Sequence, residues 1–190
     1  MSDRDGEERV GGAEVIFKPL SLSPEMMRAY WENKTQTRRL VSPQPDEDGL
    51  AKLKGEWVWH DTDAREYRPR AVPGEFIWWR EAWGLIDLQY GYACLSGWEP
   101  FPEERKNFEV AYDADKSDFI DSLFHEWSSP ESMPKWACRA IAEVLEVGVE
   151  RVQDKDDPDF DKWVWVYRFR PLKGDELKTA LEVLNDRNLV

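Results

Sequence analysis

Cysteine is nearly absent from this 190-residue chain, with Cys94 and Cys138 the only two thiols. A disulfide framework needs several cysteines at paired spacings, so a small disulfide-held secreted fold is excluded. Histidine is as scarce. His60 and His125 have no cysteine or histidine at ligand spacing, so neither a structural metal site nor a cofactor is expected. The aspartates of Gln153 to Asp161 are spaced loosely like a calcium loop, yet the required glycine and terminal glutamate are missing, and the segment reads as a solvated turn. No apolar run approaches the roughly 20 residues that span a bilayer. Residues 1–12 are charged and Gly-rich, unlike a signal peptide, so a soluble, cytoplasmic chain without a membrane partner is expected. Positive charge is also short: 26 Lys and Arg stand against 39 Asp and Glu, a net charge of −13. An acidic envelope repels a long phosphate backbone, which makes bulk duplex DNA a poor partner.

Aromatic residues are plentiful, with eleven Trp, eight Phe and six Tyr. They serve either as the filling of a core or as a stacking surface for bases or nucleosides. The length fits one domain with an appendage. The most informative stretch runs from Pro24 to Val41. Ser23 suits an N-cap and Pro24 the first helical position, and Met27 with Trp31 and Met26 with Tyr30 recur at i, i+4 as an apolar stripe. Asn33 suits the left-handed backbone that ends helices. From Thr35 the period changes to two, which places Thr35, Thr37 and Arg39 on one face and Gln36, Arg38 and Leu40 on the other. An ammonium, a hydroxyl and a guanidinium from Lys34, Thr37 and Arg39 are thus expected at one helix-to-strand junction.

The run Asn33-Lys34-Thr35-Gln36-Thr37-Arg38-Arg39, followed by Ser42-Pro43-Gln44-Pro45, resembles the signature of ASCH-domain proteins, in particular the branch carried by bacteriophages and prophages. Three later stretches resemble the same branch. Pro73 to Trp83 is similar to its "G-D-x-L-W-V-R-E-T-W" strand, Met133-Pro134-Lys135-Trp136-Ala137-Cys138-Arg139 to its "M-P-R-W-A-S-R", and Trp163-Val164-Trp165-Val166 to its closing strand. The four matches keep the family's order across residues 14–170. The resemblance implies an α+β fold built on a small PUA-like β-barrel, with a cleft beside the first helix, and an association with RNA and modified nucleosides. If the chain is phage-encoded, its place is the bacterial host cytoplasm.

Taken in order, Met1 to Ala13 reads as a polar, mobile leader, and Glu14 to Leu20 as a first strand. Ser42 to Leu50 is a Pro-, Asp- and Gly-rich loop. Glu56 to His60 alternates like a hairpin arm, Arg65 to Arg70 is a basic loop, and Pro73-Gly74 is a turn into a Phe76 to Trp79 strand. Residues 84–107 read as a long insertion with little regular structure, the kind that borders a site. Phe108 to Tyr112 is strand-like, and Asp118 to Trp127 suggests a short helix on a Phe119, Leu123 and Phe124 stripe. Trp136 to Val152 is the longest strand-like run, and its alternation slips near Val144-Leu145, which predicts a bulge. Lys162 to Arg170 alternates between an aromatic face and a Val/Arg face. Residues 171–190 form a C-terminal helical extension, N-capped by Asp175, with Leu177, Leu181 and Leu184 on one stripe.

A small bacterial branch similar to this family hydrolyses N4-acetylcytidine with the Lys and second Thr of "K-T-x-T-x-R" and a later Glu. Carried over, Thr37 would be the nucleophile or position a water, Lys34 would be the base or activator if burial lowers its pKa, and Arg39 would hold the oxyanion or base carbonyl. Two departures weigh on this. Glu32 replaces a family glycine, and no residue matches the later Glu, leaving Glu81 as the substitute, whose alternative role is that of an ion-pair partner for Arg80. The candidate ligand-binding set is Thr35, Arg38, Arg39, Trp78, Arg80, Trp136 and Arg139, within a local basic pocket that also draws on Lys135, Arg168 and Arg170. Two readings follow: recognition of RNA or of a modified nucleoside or nucleotide, with amide hydrolysis of an acylated cytidine open, or a non-catalytic phage protein that docks a host or phage protein. A compact positive cleft favours the first, and an exposed leucine face on the last helix favours the second.

Overall fold

The computed structural model describes residues 9–10, 13–46, 49–54, 56–94, 98–115, 117–124 and 126–186, and they form an α+β protein dominated by sheet. In chain order the elements are β1 (Arg9–Val10), β2 (Ala13–Glu14), β3 (Phe17–Ser21), α1 (Pro24–Trp31), β4 (Gln36–Leu40), β5 (Ala51–Lys52), β6 (Trp59–His60), β7 (Glu66–Tyr67), β8 (Phe76–Arg80), β9 (Trp83–Asp87), β10 (Phe108–Tyr112), α2 (Asp118–Leu123), β11 (Ile141–Arg151), β12 (Trp163–Pro171) and α3 (Gly174–Asp186). The largest sheet has the strand order β3-β8-β11-β12-β4. It ends on two edges, so these strands form an open sheet and not the closed barrel expected from the sequence. The chain divides into two compact units. The first comprises Met1–Lys18, Lys34–Ile77 and Ala142–Pro171, and the second Pro19–Asn33, Trp78–Ile141 and Leu172–Val190.

In the first unit the long β11–β12 hairpin carries β4 on its far side, all antiparallel. The slip in alternation has its counterpart in a register shift between Val144 and Glu146. Beyond it Glu146 lies opposite Arg168, while before it Glu143 lies opposite Arg170; each pair is salt-bridged at 2.9 Å. The aromatic face of β12 is buried through Trp165, Tyr167 and Phe169, and Val164 on the other face is buried too. On that Val/Arg face Val166 is half-buried, and Arg168 and Arg170 are exposed. The three-stranded sheet β5-β6-β7 adds Trp59, whose ring meets Trp165 edge-on at 4.9 Å. Arg9–Val10 pairs with Ala13–Glu14, so part of the expected leader is a short ladder, and the strand expected from Glu14 begins only at Phe17. The basic Arg65 to Arg70 loop contains β7. Residues 1–8 and 11–12 of the leader lie outside the described residues.

In the second unit Ser23 caps α1, its hydroxyl accepting from the Met26 amide at 3.3 Å, with Pro24 at the first helical position. The buried face is Met27 with Tyr30, whose hydroxyl donates to the Ile141 carbonyl at 2.9 Å. Trp31 is nearly half exposed. An i, i+3 pair thus replaces the expected i, i+4 stripe, because the Tyr30 hydrogen bond fixes which side of the helix faces inward. Asn33 has φ 79°, as its role in ending the helix requires. Within the expected insertion only residues 84–87 are strand, the part of β9 that pairs with β10, and Arg105–Asn107 is a 3-10 turn; the other described residues of 84–107 form no named helix or strand. The run from Trp136 becomes strand only at Ile141, preceded by a 3-10 turn at Lys135–Ala137. The helix α2 stops at Leu123, short of the expected Trp127; Phe119 on it is exposed and Phe124, just after it, is buried, so the expected stripe is not a packed helix face. The helix α3 begins at Gly174, which puts Asp175 in its first turn and not at its cap; Leu184 is buried and Leu177 and Leu181 are half-buried. His125 lies outside the described residues.

Candidate functional site

The sequence-derived site residues fall into two groups. Lys34, Thr35, Thr37, Arg38 and Arg39 belong to the first unit, and Trp78, Arg80, Glu81, Trp136 and Arg139 to the second.

In the first group, alternation along β4 has the expected sense: Gln36, Arg38 and Leu40 are exposed, whereas Thr37 is 2% exposed and Arg39 is half-buried. Thr37 lies opposite Tyr167, and Arg39 opposite Trp165, on the neighbouring strand β12. Opposite residues of an antiparallel pair share a face, so the hydroxyl and the guanidinium sit against two buried rings. Arg39 Nη1 donates to Thr37 Oγ1 at 3.1 Å and to the Arg38 carbonyl at 2.8 Å. The Tyr167 hydroxyl accepts from the Arg70 amide at 2.9 Å. Burial pushes the Arg39 pKa down, with Tyr167 opposing, and burial followed by the nearby Arg39 charge lowers that of Lys34. Among the described residues no side chain accepts a hydrogen bond or ion pair from the Lys34 ammonium. Two like charges held in partly desolvated surroundings raise the local potential, which an electron-rich oxygen of a ligand would relieve.

Arg38, Arg168 and Arg170, the other cations expected in the pocket of this unit, are each paired. Arg38 Nε bonds Glu150 at 2.9 Å and its Nη1 bonds Asp157 at 3.3 Å, while Arg168 and Arg170 are held by Glu146 and Glu143. The expected broad basic pocket is therefore largely neutralised in this unit, because a chain with this excess of carboxylates supplies a partner to nearly every exposed arginine of its sheet.

The second group is built around a buried carboxylate. Glu81 is 1% exposed and both its oxygens accept from Arg139, Oε1 from Nε and Oε2 from Nη2, each at 2.8 Å. Arg139 Nη2 also donates to Asp115 Oδ1 at 3.1 Å, and Nη1 donates to Asp115 Oδ2. Its guanidinium lies 3.8 Å from the Tyr112 ring centroid and 5.6 Å from that of Trp31. Burial pushes the Glu81 carboxyl upward while the bonds from Arg139 oppose it; for Arg139, burial works against the charge and the two carboxylates more than compensate. The two-point fork requires an ionised carboxylate, so Glu81 is anionic in this arrangement. The sequence suggested Arg80 as the partner of Glu81. Arg80 instead donates to the Glu131 carbonyl at 3.1 Å and to Ser21 Oγ at 3.3 Å. Trp78 is buried, and Trp136 donates to Glu99 with the Arg105 guanidinium 4.7 Å above its ring.

Sequence reasoning missed Tyr167 and Trp165 as the wall behind Thr37 and Arg39, and Tyr112 and Asp115 as partners of Arg139. The alternating aromatics of Lys162 to Arg170 were a signal for the first pair. Nothing local pointed to Asp115, which is 24 residues from Arg139 in the chain. Among the described residues no cluster of His, Cys, Asp and Glu is suited to a metal ion, and no helix is long and apolar enough to cross a membrane. No protein family, curated protein or solved structure matches the chain.

Proposed function

We propose that the chain is an ASCH-type, PUA-related domain that binds a nucleoside or nucleotide, free or at a single-stranded RNA end, through Lys34, Arg39 and Thr37. The observation that carries this reading is the Lys34 ammonium, partly buried, repelled by Arg39 and without a partner among the described residues. A group in that condition gains from an acceptor oxygen such as a base carbonyl or a phosphate. Arg39 is aimed by its bonds to Thr37 and to the backbone, so it supplies a pre-set donor plane. The neutralised arginines of the sheet argue for a small ligand over an extended backbone. Recognition is favoured over hydrolysis, because the Thr37 hydroxyl is buried and its oxygen already accepts from Arg39, a poor state for a nucleophile. Docking of a host or phage protein through α3 has less support, since its leucine stripe is not an exposed face.

The test is calorimetric titration with cytidine, cytidine monophosphate, N4-acetylcytidine and a short single-stranded RNA, alongside an assay for released acetate. Binding that weakens about tenfold or more in Lys34→Ala, as loss of one charge-assisted hydrogen bond implies, is the expected result. Affinity unchanged in Lys34→Ala, or no binding of any of the four, would sink the reading. Acetate release abolished by the same substitution would move it to an amidohydrolase.

A further inference from the structure

The second unit carries a surface that neither the β4 site nor the core explains. Leu88, Tyr90, Tyr92, Trp98 and Phe101 are all exposed, Tyr90 at 59%, Tyr92 at 64% and Phe101 at 70%. The backbone gathers them. Leu88 N bonds Asn107 O at 2.9 Å, Asp87 N bonds Tyr92 O at 3.0 Å, and Ile86 bridges Ala93, so residues 88–92 form a tight tip on β9. Gly91, at φ 74°, supplies the left-handed step the tip needs. Trp98 packs edge-on against Phe108 at 5.0 Å, and Phe108 lies opposite Asp87 in the β9–β10 register. Phe101 lies on the turns that lead into β10. The Tyr90 and Tyr92 rings are parallel, 9° apart with centroids at 5.9 Å. Soluble surfaces carry scattered apolar groups, but several large exposed side chains drawn by the backbone to one end of a hairpin mark an interaction site.

Charge selects the occupant. Glu103, Glu104 and Glu109 are exposed on the turns and strand beside this tip, and among the described residues no cation pairs with their side chains; Lys106 is exposed there too, so these carboxylates outnumber it three to one. Arg105, by contrast, is already bonded to Glu99 at 3.1 Å. Ring faces and unpaired carboxylates both attract cations, whereas they repel phosphate and oppose a second copy of this acidic chain. We propose that the β9–β10 tip docks a basic, apolar-interleaved segment of a partner protein. Arginines of that segment lie over Tyr90 and Tyr92 and beside the glutamates, and its apolar residues cover Leu88 and Phe101. The surface is independent of the nucleoside reading.

Fluorescence anisotropy of a labelled peptide of repeating Arg-Leu-Gly, titrated with the full chain, tests this. The peptide binds, and Tyr90→Ser with Tyr92→Ser weakens it at least about tenfold, as does Glu103→Gln with Glu104→Gln. The melting temperature of both double variants stays at the wild-type value, since the replaced side chains are exposed. Equal affinity in the tyrosine variant would reduce the effect to general attraction to an acidic protein and overturn the proposal. So would a failure of the peptide to bind, equal binding of a Glu-Leu-Gly control, or a sedimenting dimer that the tyrosine variant abolishes.

Discussion

At the scale of the residue, three ionisable groups are held away from their solution behaviour, one alone and two as a pair. Lys34 is lowered by burial and by Arg39, so the folded chain releases this proton before the unfolded chain does. Between the lowered value and the ordinary 10.5, the unfolded state binds more protons, and stability rises with pH across that window. Replacement by Met should flatten that rise, measured as the difference in urea midpoint between the variant and the wild type over an alkaline series. Glu81 and Arg139 behave otherwise, since each holds the other in its charged form inside the protein. Removing Arg139 strands the buried Glu81 carboxylate, so Arg139→Met is expected to destabilise by roughly 3–5 kcal/mol in urea unfolding, whereas Glu81→Gln leaves Arg139 its bonds to Asp115 and should cost less. Replacing both, as Glu81→Leu with Arg139→Met, should cost well under the sum of the single changes. Additive losses would mean that the fork contributes nothing as a pair.

At the scale of the element, the start of α1 depends on one hydroxyl. Ser23→Ala removes the acceptor for the Met26 amide and should lower stability by about 1 kcal/mol, whereas Ser23→Asp should retain most of it. A loop in the first unit depends on a missing side chain. Gly49 has φ 91°, and a Cβ there would stand 2.6 Å from the Trp163 ring. Gly49→Ala thus combines backbone strain with a clash, and a loss of about 1–3 kcal/mol is expected, read as a lower thermal midpoint. The edge strand β4 illustrates how an element creates a site: its two-residue period turns Thr37 and Arg39 toward Tyr167 and Trp165, and Arg38 toward Glu150.

At the scale of the whole molecule, charge dominates. With −13 net, carboxylates repel one another, and raising ionic strength from about 0.1 M to about 1 M shortens the screening length from about 10 Å to about 3 Å. Unfolding midpoints should therefore rise with salt, and the affinity for neutral cytidine should change little while any affinity for RNA falls. What the sequence by itself determined is local. The helix cap at Ser23, the end at Asn33, the alternation of Gln36 to Leu40, the slip near Val144 and the aromatic face of β12 all depend on neighbours within a few residues, where backbone preference and periodicity act. The tertiary structure decided the rest. Whether the sheet closes depends on strands far apart in the chain, and its order ends on two edges. Within residues 84–107, composition hid the strand at 84–87 because a hairpin arm is defined by its distant partner, here β10. The partner of Glu81 is Arg139 and not the adjacent Arg80, because an ion pair follows from distance in space and shared burial. The same cause dissolved the broad basic pocket: a sequence counts arginines, but only packing sets Glu143, Glu146 and Glu150 beside them, leaving Lys34 without a side-chain partner among the described residues.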